Sequence, residues 1–157
     1  MKEKIVRWTI TKYRNDMEHA DANPYEISII DGNVLLNTGI NELWKLACDN
    51  DGTFFSADNA FLCVGDDDTP ADAEQVGPLS STAVYKGMDT GFPESGTDQL
   101  AAWQAVFQWN EANFAWNEFL VANGNDADAV HLNRKVSDEG TKPSGEVWVL
   151  RLEIVME

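Results

Sequence analysis

A chain of 157 residues is long enough to bury a core without disulfide staples, and a hydrophobic share of 43% with six Trp and seven Phe excludes a disordered polymer. Eleven Lys and Arg stand against 27 Asp and Glu, a formal charge of −16. Such a surface repels phosphate backbones and anionic lipid headgroups, which excludes nucleic acid and membrane as expected partners of the folded domain.

KIVRWTITKYR (4–14) alternates Val6, Trp8 and Ile10 against Arg7, Thr9 and Thr11, the period of a half-buried strand. NDMEHADANP reads as a polar turn. YEISII (25–30) alternates again, with Tyr25, Ile27 and Ile29 sharing one face, and pairs with the first strand as a hairpin closed by the turn DGN. The period then changes: Ile40, Leu43, Trp44 and Ala47 recur at helical spacing behind Asn37 and Thr38, either of which suits an N-cap, predicting one α-helix near residues 39–48.

AFLCVG (60–65) predicts a short buried strand, followed by a long loop from Asp66 to Glu94 holding one strand near Thr82–Met88. LAAWQAVFQW (100–109), ANFAWNEFLVANG (112–124), AVHLNRKV (129–136) and EVWVLRLEIVM (146–156) complete the set. Seven or eight antiparallel strands with one helix predict a mainly β protein, a β-sandwich forming a single domain over 1–157. Cys48 and Cys63 are too few for a secreted disulfide framework and are expected to be buried thiols. No apolar run resembling a signal peptide or a membrane span is present, so assembly in a cytoplasm is expected.

Charge is unevenly spread. Five of the eleven basic residues fall in the first fourteen positions, whereas Lys45 to Lys86 encloses eight acids and no base. This layout makes Lys2, Lys4 and Arg7 candidate docking residues, against the alternative that the basic strand pairs with acids of its own molecule.

The acidic run CVGDDDTPADAE (63–74) invites a metal reading. Counted as a calcium loop from Asp66, position five is Pro70 and position six Ala71, where an oxygen ligand and a Gly are required. A solvated acidic turn fits better. The two histidines, His19 and His131, stand in no nucleophile or metal motif, and Glu111 and Glu118 lack the placement of a carboxylate pair, so neither enzyme nor cofactor is expected. Trp103, Trp109 and Trp116, with Asn110, Asn113 and Asn117 nearby, form a candidate glycan platform, although large aromatics at strand spacing more often make a core.

The segments GNVLLNTGINELWKLA (32–47), FLCVGDDDTPADAEQVG (61–77), VYKGMDTGFP (84–93), EANFAWNEFLVANG (111–124) and LNRKVSDEGTKPSGEVWVL (132–150) together resemble a group of small virion structural proteins of tailed bacteriophages. In that group the stretch after Val-Gly-Asp carries Ser, Thr and Ala. Here Asp67 and Asp68 replace part of it, which weakens the metal reading further. The resemblance carries no catalytic residues. It implies a virion location and partners among virion proteins, foremost the major capsid protein, in symmetric copies. The leading expectation is a capsid decoration (cement) protein, and the alternative a neck, collar or tail-fibre-associated protein that binds glycans.

Overall fold

The computed structural model describes the backbone from Glu3 to Met156 and side chains from Ile5 onward. Among the described residues the chain forms ten strands. β1 (Glu3–Tyr13) leads into a short helix α1 (Asp16–Ala20), then β2 (Glu26–Asp31) and β3 (Val34–Leu35). Helix α2 (Asn37–Trp44) ends in a π-helical turn over Lys45–Asp49. β4 (Phe61–Gly65), β5 (Val84–Gly87), β6 (Glu94–Ser95), β7 (Leu100–Phe107), β8 (Glu118–Ala122), β9 (Asn133–Val136) and β10 (Val147–Met156) follow.

The strands make two antiparallel five-stranded sheets, in the orders β2-β1-β10-β7-β6 and β3-β9-β8-β4-β5. Their inner faces meet in one apolar core, as the mainly β sandwich expectation required. β1 and β10 form the spine of the first sheet, with Trp8 opposite Leu152 and Ile10 opposite Leu150, all pointing inward. Trp116 sits at the centre of the core, edge-to-face with Phe107 and Trp148 at 4.9 Å each, and its indole N–H donates to the Ala112 carbonyl at 3.0 Å. That bond satisfies the one polar atom of a fully buried ring, the condition for placing Trp in a core.

Several local expectations are corrected. The polar turn NDMEHA contains α1: Asn15 accepts from the Glu18 N–H at 2.9 Å while Glu18 accepts from the Arg14 N–H at 2.8 Å, a side-chain clasp at the helix start. β3 and β6, two residues each, carry no readable period.

In α2 the N-cap is Leu36, with no side-chain cap, and the inward face runs through Gly39 and Glu42 while Trp44 and Ala47 are exposed. Gly39 sets that face, because a Cβ there would lie 2.5 Å from the Leu132 Cα and only a bare backbone lets the helix approach so closely. Glu42 is buried because it accepts from the Thr53 N–H at 2.8 Å and from Asn123 Nδ2 at 3.3 Å. Cys48, in the π-turn, is exposed rather than buried; Cys63 is buried, and both thiols are free.

β8 starts only at Glu118: residues 112–117 form a loop with one isolated antiparallel bridge, Ala115 to Thr141, and Trp109 lies beyond the end of β7.

Candidate functional site

β4 and β8 are buried on both faces, which means something covers the outer side of the second sheet. That cover is the segment 66–82, a strap laid across the sheet and tied down by one ion pair. Arg134 and Glu118 have fully buried side chains and meet at 2.8 Å between Nε and Oε2. The Arg134 guanidinium also donates to the Thr69 carbonyl at 2.7 Å, to Gln75 Oε1 at 3.2 Å and to Asp67 Oδ1 at 3.3 Å. Glu118 in turn accepts the backbone N–H groups of Leu79 at 3.1 Å and Ser80 at 2.8 Å.

A buried charge is tolerated only when its partners are complete, and here each member of the pair is surrounded by bonds from the strap. Gly65 leaves room for this arrangement, since a Cβ at that position would sit 2.7 Å from the Ser80 Cβ and press on the Glu118 carboxylate.

The acidic run lies in this strap. Asp66 and Asp68 are exposed, with Asp66 accepting from the Ser80 hydroxyl at 2.5 Å. Asp67 is held below the usual carboxylate range, first by hydrogen bonds from Thr69 and then by the Arg134 charge. Asp72 accepts from the Glu74 N–H at 2.8 Å, turning the strap back over β9. Among the described residues no group of three or more His, Cys, Asp or Glu side chains gathers closely enough to hold a metal ion.

Beneath the strap, His131 is fully buried, its Nε2 2.9 Å from the Tyr85 hydroxyl and its ring against Gly77, where a Cβ would lie 3.1 Å away. Burial pushes the His131 pKa down and raises those of Tyr85 and Cys63 well above their ordinary values, so the three groups are neutral at physiological pH. His131 and Cys63 pack beneath the strap in their neutral forms, with the Tyr85 hydroxyl at the edge of the layer.

The other carboxylates are engaged apart from one another. Glu111 accepts from Lys86 Nζ at 2.7 Å and from the Gln108 N–H at 2.8 Å, while Glu118 belongs to the strap. Lys142 is fully buried, donates to the Gln108 carbonyl at 2.8 Å and to Asn113 Oδ1 at 3.0 Å, and has its pKa pushed down to about 8 by burial. A polar depression of about 270 Å³ lies where β3, β9 and the strap meet, lined by Asn33, Val34, Ala71, Arg134, Lys135 and Val136. The Arg134 charge beside it is already offset by Glu118 and Asp67.

The glycan platform is corrected. Trp116 is 0% exposed, Trp103 is buried with its Nε1 donating to the Phe55 carbonyl at 3.1 Å, and Trp109 alone is open at 49%. Two of the three rings therefore have no free face for a sugar. Of the docking residues, Lys2 and the Lys4 side chain lie outside the described residues. Arg7 is partly exposed on the outer face of the first sheet and pairs with Asp31 at 3.2 Å, so basic strand and acidic neighbour meet within one molecule at this position.

The feature missed in sequence is on β2. Ile27 and Ile29 face outward, 57% and 60% exposed, while Ser28 and Ile30 turn toward the interior. A hydrophobic edge strand without Lys or Pro was readable from EISIID, but which of its two faces turns inward was not.

Comparisons with known proteins return no match: no family model, no curated protein and no solved structure is significantly similar to this chain.

Proposed function

We propose that this chain is a structural protein of a tailed-phage virion, and within the particle a decoration protein that docks on the outside of the shell and strengthens it. The observation that carries the reading is where the resembling segments fall. Residues 32–47, 61–77, 84–93, 111–124 and 132–150 supply β3, α2, β4, most of the strap, β5, β8 and β9, together with the first four residues of β10, so the likeness falls mostly on the second sheet and its cover. Arg134, Glu118, Asp67 and Gln75, which close that cover, all lie within or at the ends of those segments.

A covered sheet suits a load-bearing part, because its buried ion pair is enclosed by hydrogen bonds from the chain's own strap. The strongly negative surface suits a protein facing solvent on a particle. Docking in many symmetric copies lets a modest interface, roughly 1,000 Å² or more per site, add up to a large reinforcement of the shell.

Copy number decides the station. Purified particles are run on a denaturing gel and the band is measured against the major capsid protein. Decoration predicts on the order of hundreds of copies, whereas a neck or tail component follows tail symmetry at about 3 to 12. A count in the lower range removes the decoration reading, and absence from washed particles removes the virion reading altogether.

A further inference from the structure

Among the described residues the first sheet ends in a strand that is paired on one side only. β2 pairs with β1 on one side and forms the sheet edge on the other. The Gly32 N–H donates to the Val6 carbonyl at 2.9 Å, which fixes the alternation: Ser28 and Ile30 direct their backbone groups at β1, and Ile27 and Ile29 direct theirs outward along the open edge. The same two residues carry the exposed aliphatic side chains. Asp31, next in that series, already has its carbonyl occupied by Lys135 Nζ at 2.8 Å.

The other three edge strands are two, two and four residues long, against six for β2. Short edges resist pairing, and a longer aliphatic edge without Lys, Pro or a bulge invites it.

We infer that β2 is a self-association edge, and that its partner is β2 of a second copy of this chain, related by a two-fold axis and paired antiparallel. The strand is complementary to itself. With the axis at Ser28, Ile27 meets Ile29 of the second copy, and the same pair recurs on the other side of the axis. The outward N–H and C=O groups of both residues are then satisfied, and four isoleucines stand together on one face of a continuous ten-stranded sheet.

Charge favours this occupant over an extended basic segment. The carboxylates flanking the edge are already paired within each copy, Glu26 with Lys12 at 2.7 Å and Asp31 with Arg7 at 3.2 Å. The edge therefore presents aliphatic side chains and backbone rather than a free anionic lure, even on a chain of charge −16. Five paired residues per copy, Glu26 to Ile30, bury less than the roughly 1,200–2,000 Å² of a standard interface, which makes the pair weak in dilute solution and effective where copies are held side by side.

The inference is independent of the virion reading, since it concerns the purified chain alone. Sedimentation equilibrium from about 10 µM to about 1 mM is compared between wild type and Ile29→Lys, a range that brackets weak association. The wild type is expected to move from a mass of 17.5 kDa toward twice that value, while Ile29→Lys stays at the monomer mass with an unchanged circular dichroism spectrum. Hydrogen exchange at the Ile27 and Ile29 amides should slow in step with the association. Raising the salt concentration should tighten it, because screening removes repulsion between two acidic copies. A wild-type mass constant across the range overturns the proposal. So does an association that survives Ile29→Lys, or one that leaves the two amides unprotected.

Discussion

Across β4 and β8 the sandwich is three layers deep, because the strap covers the outer face and even Glu118 and Leu120 see no solvent. Across β2 and β1 it is two layers deep, and Ile27, Ile29, Arg7 and Asp31 stand in the open. One sheet has its outer face closed by the chain itself, through buried charge and backbone hydrogen bonds. The other leaves a strand edge unpaired. The contrast teaches that strand composition reports what lies on each face: an unbroken apolar run means a cover, and an alternating run means an open side.

The comparison breaks most severely at the ion pair. Replacing Glu118 by Ala leaves the Arg134 charge buried without its carboxylate and frees two strap N–H groups, and should cost about 3–5 kcal/mol in urea unfolding. A loss under about 1 kcal/mol would mean that the strap does not depend on the pair.

Gly65→Ala comes next. The added methyl group meets Ser80 and the Glu118 carboxylate and should cost about 1–3 kcal/mol, with increased proteolysis inside 66–82 before global unfolding. Proteolysis that begins elsewhere would move the weak point off the strap.

Acid should act on the covered side. Burial lowers the His131 pKa below its ordinary value of 6.5, so over the interval beneath that value the unfolded chain binds the proton that the folded chain refuses. His131 therefore makes stability fall as pH drops through this range, and hydrogen exchange in the strap around Val76 and Gly77 should accelerate there. Tyr85, hydrogen-bonded to its Nε2, and Asp126 are its titratable neighbours, and His131→Gln should flatten the slope measured for the wild type.

On the open side, Ile27→Thr should change monomer stability by no more than about 0.5 kcal/mol, as a substitution at an exposed strand position does. A larger loss at high dilution would show that β2 is less exposed than described.

The spine of the first sheet was legible because large apolar residues recur at alternate positions, Trp8 and Ile10 in β1, Trp103 and Phe107 in β7, and Trp148, Leu150, Leu152 and Ile154 in β10, and these point inward, although β10 opens with the unbroken apolar run Val147–Leu150. The same rule misled at β2. There the more aliphatic face, Ile27 and Ile29, is the outer one, and inward-facing Ser28 is held by a hydrogen bond to Glu139 Oε2 at 2.5 Å.

ANFAWN mimicked a strand because it alternates, yet residues 112–117 form a loop that starts from Ala112 at φ 51° and folds Trp116 into the core. The pairing of Arg134 with Glu118 left no trace in spacing. The two residues sit on adjacent strands, and their burial depends on a strap whose path only the fold reveals.

The bonds that fasten the strap join residues far apart along the chain. Thr69 and Arg134 are separated by 65 positions, and Leu79 and Glu118 by 39. During synthesis the strap emerges well before either anchor, so it has nothing to close upon until β8 and β9 have been made and paired. The outer side of β4, with Cys63, is the last surface to be shielded. Contacts of such long sequence separation place this protein among slow-folding β topologies, and its growing chain is most prone to stick to a neighbour in the window before Arg134 arrives.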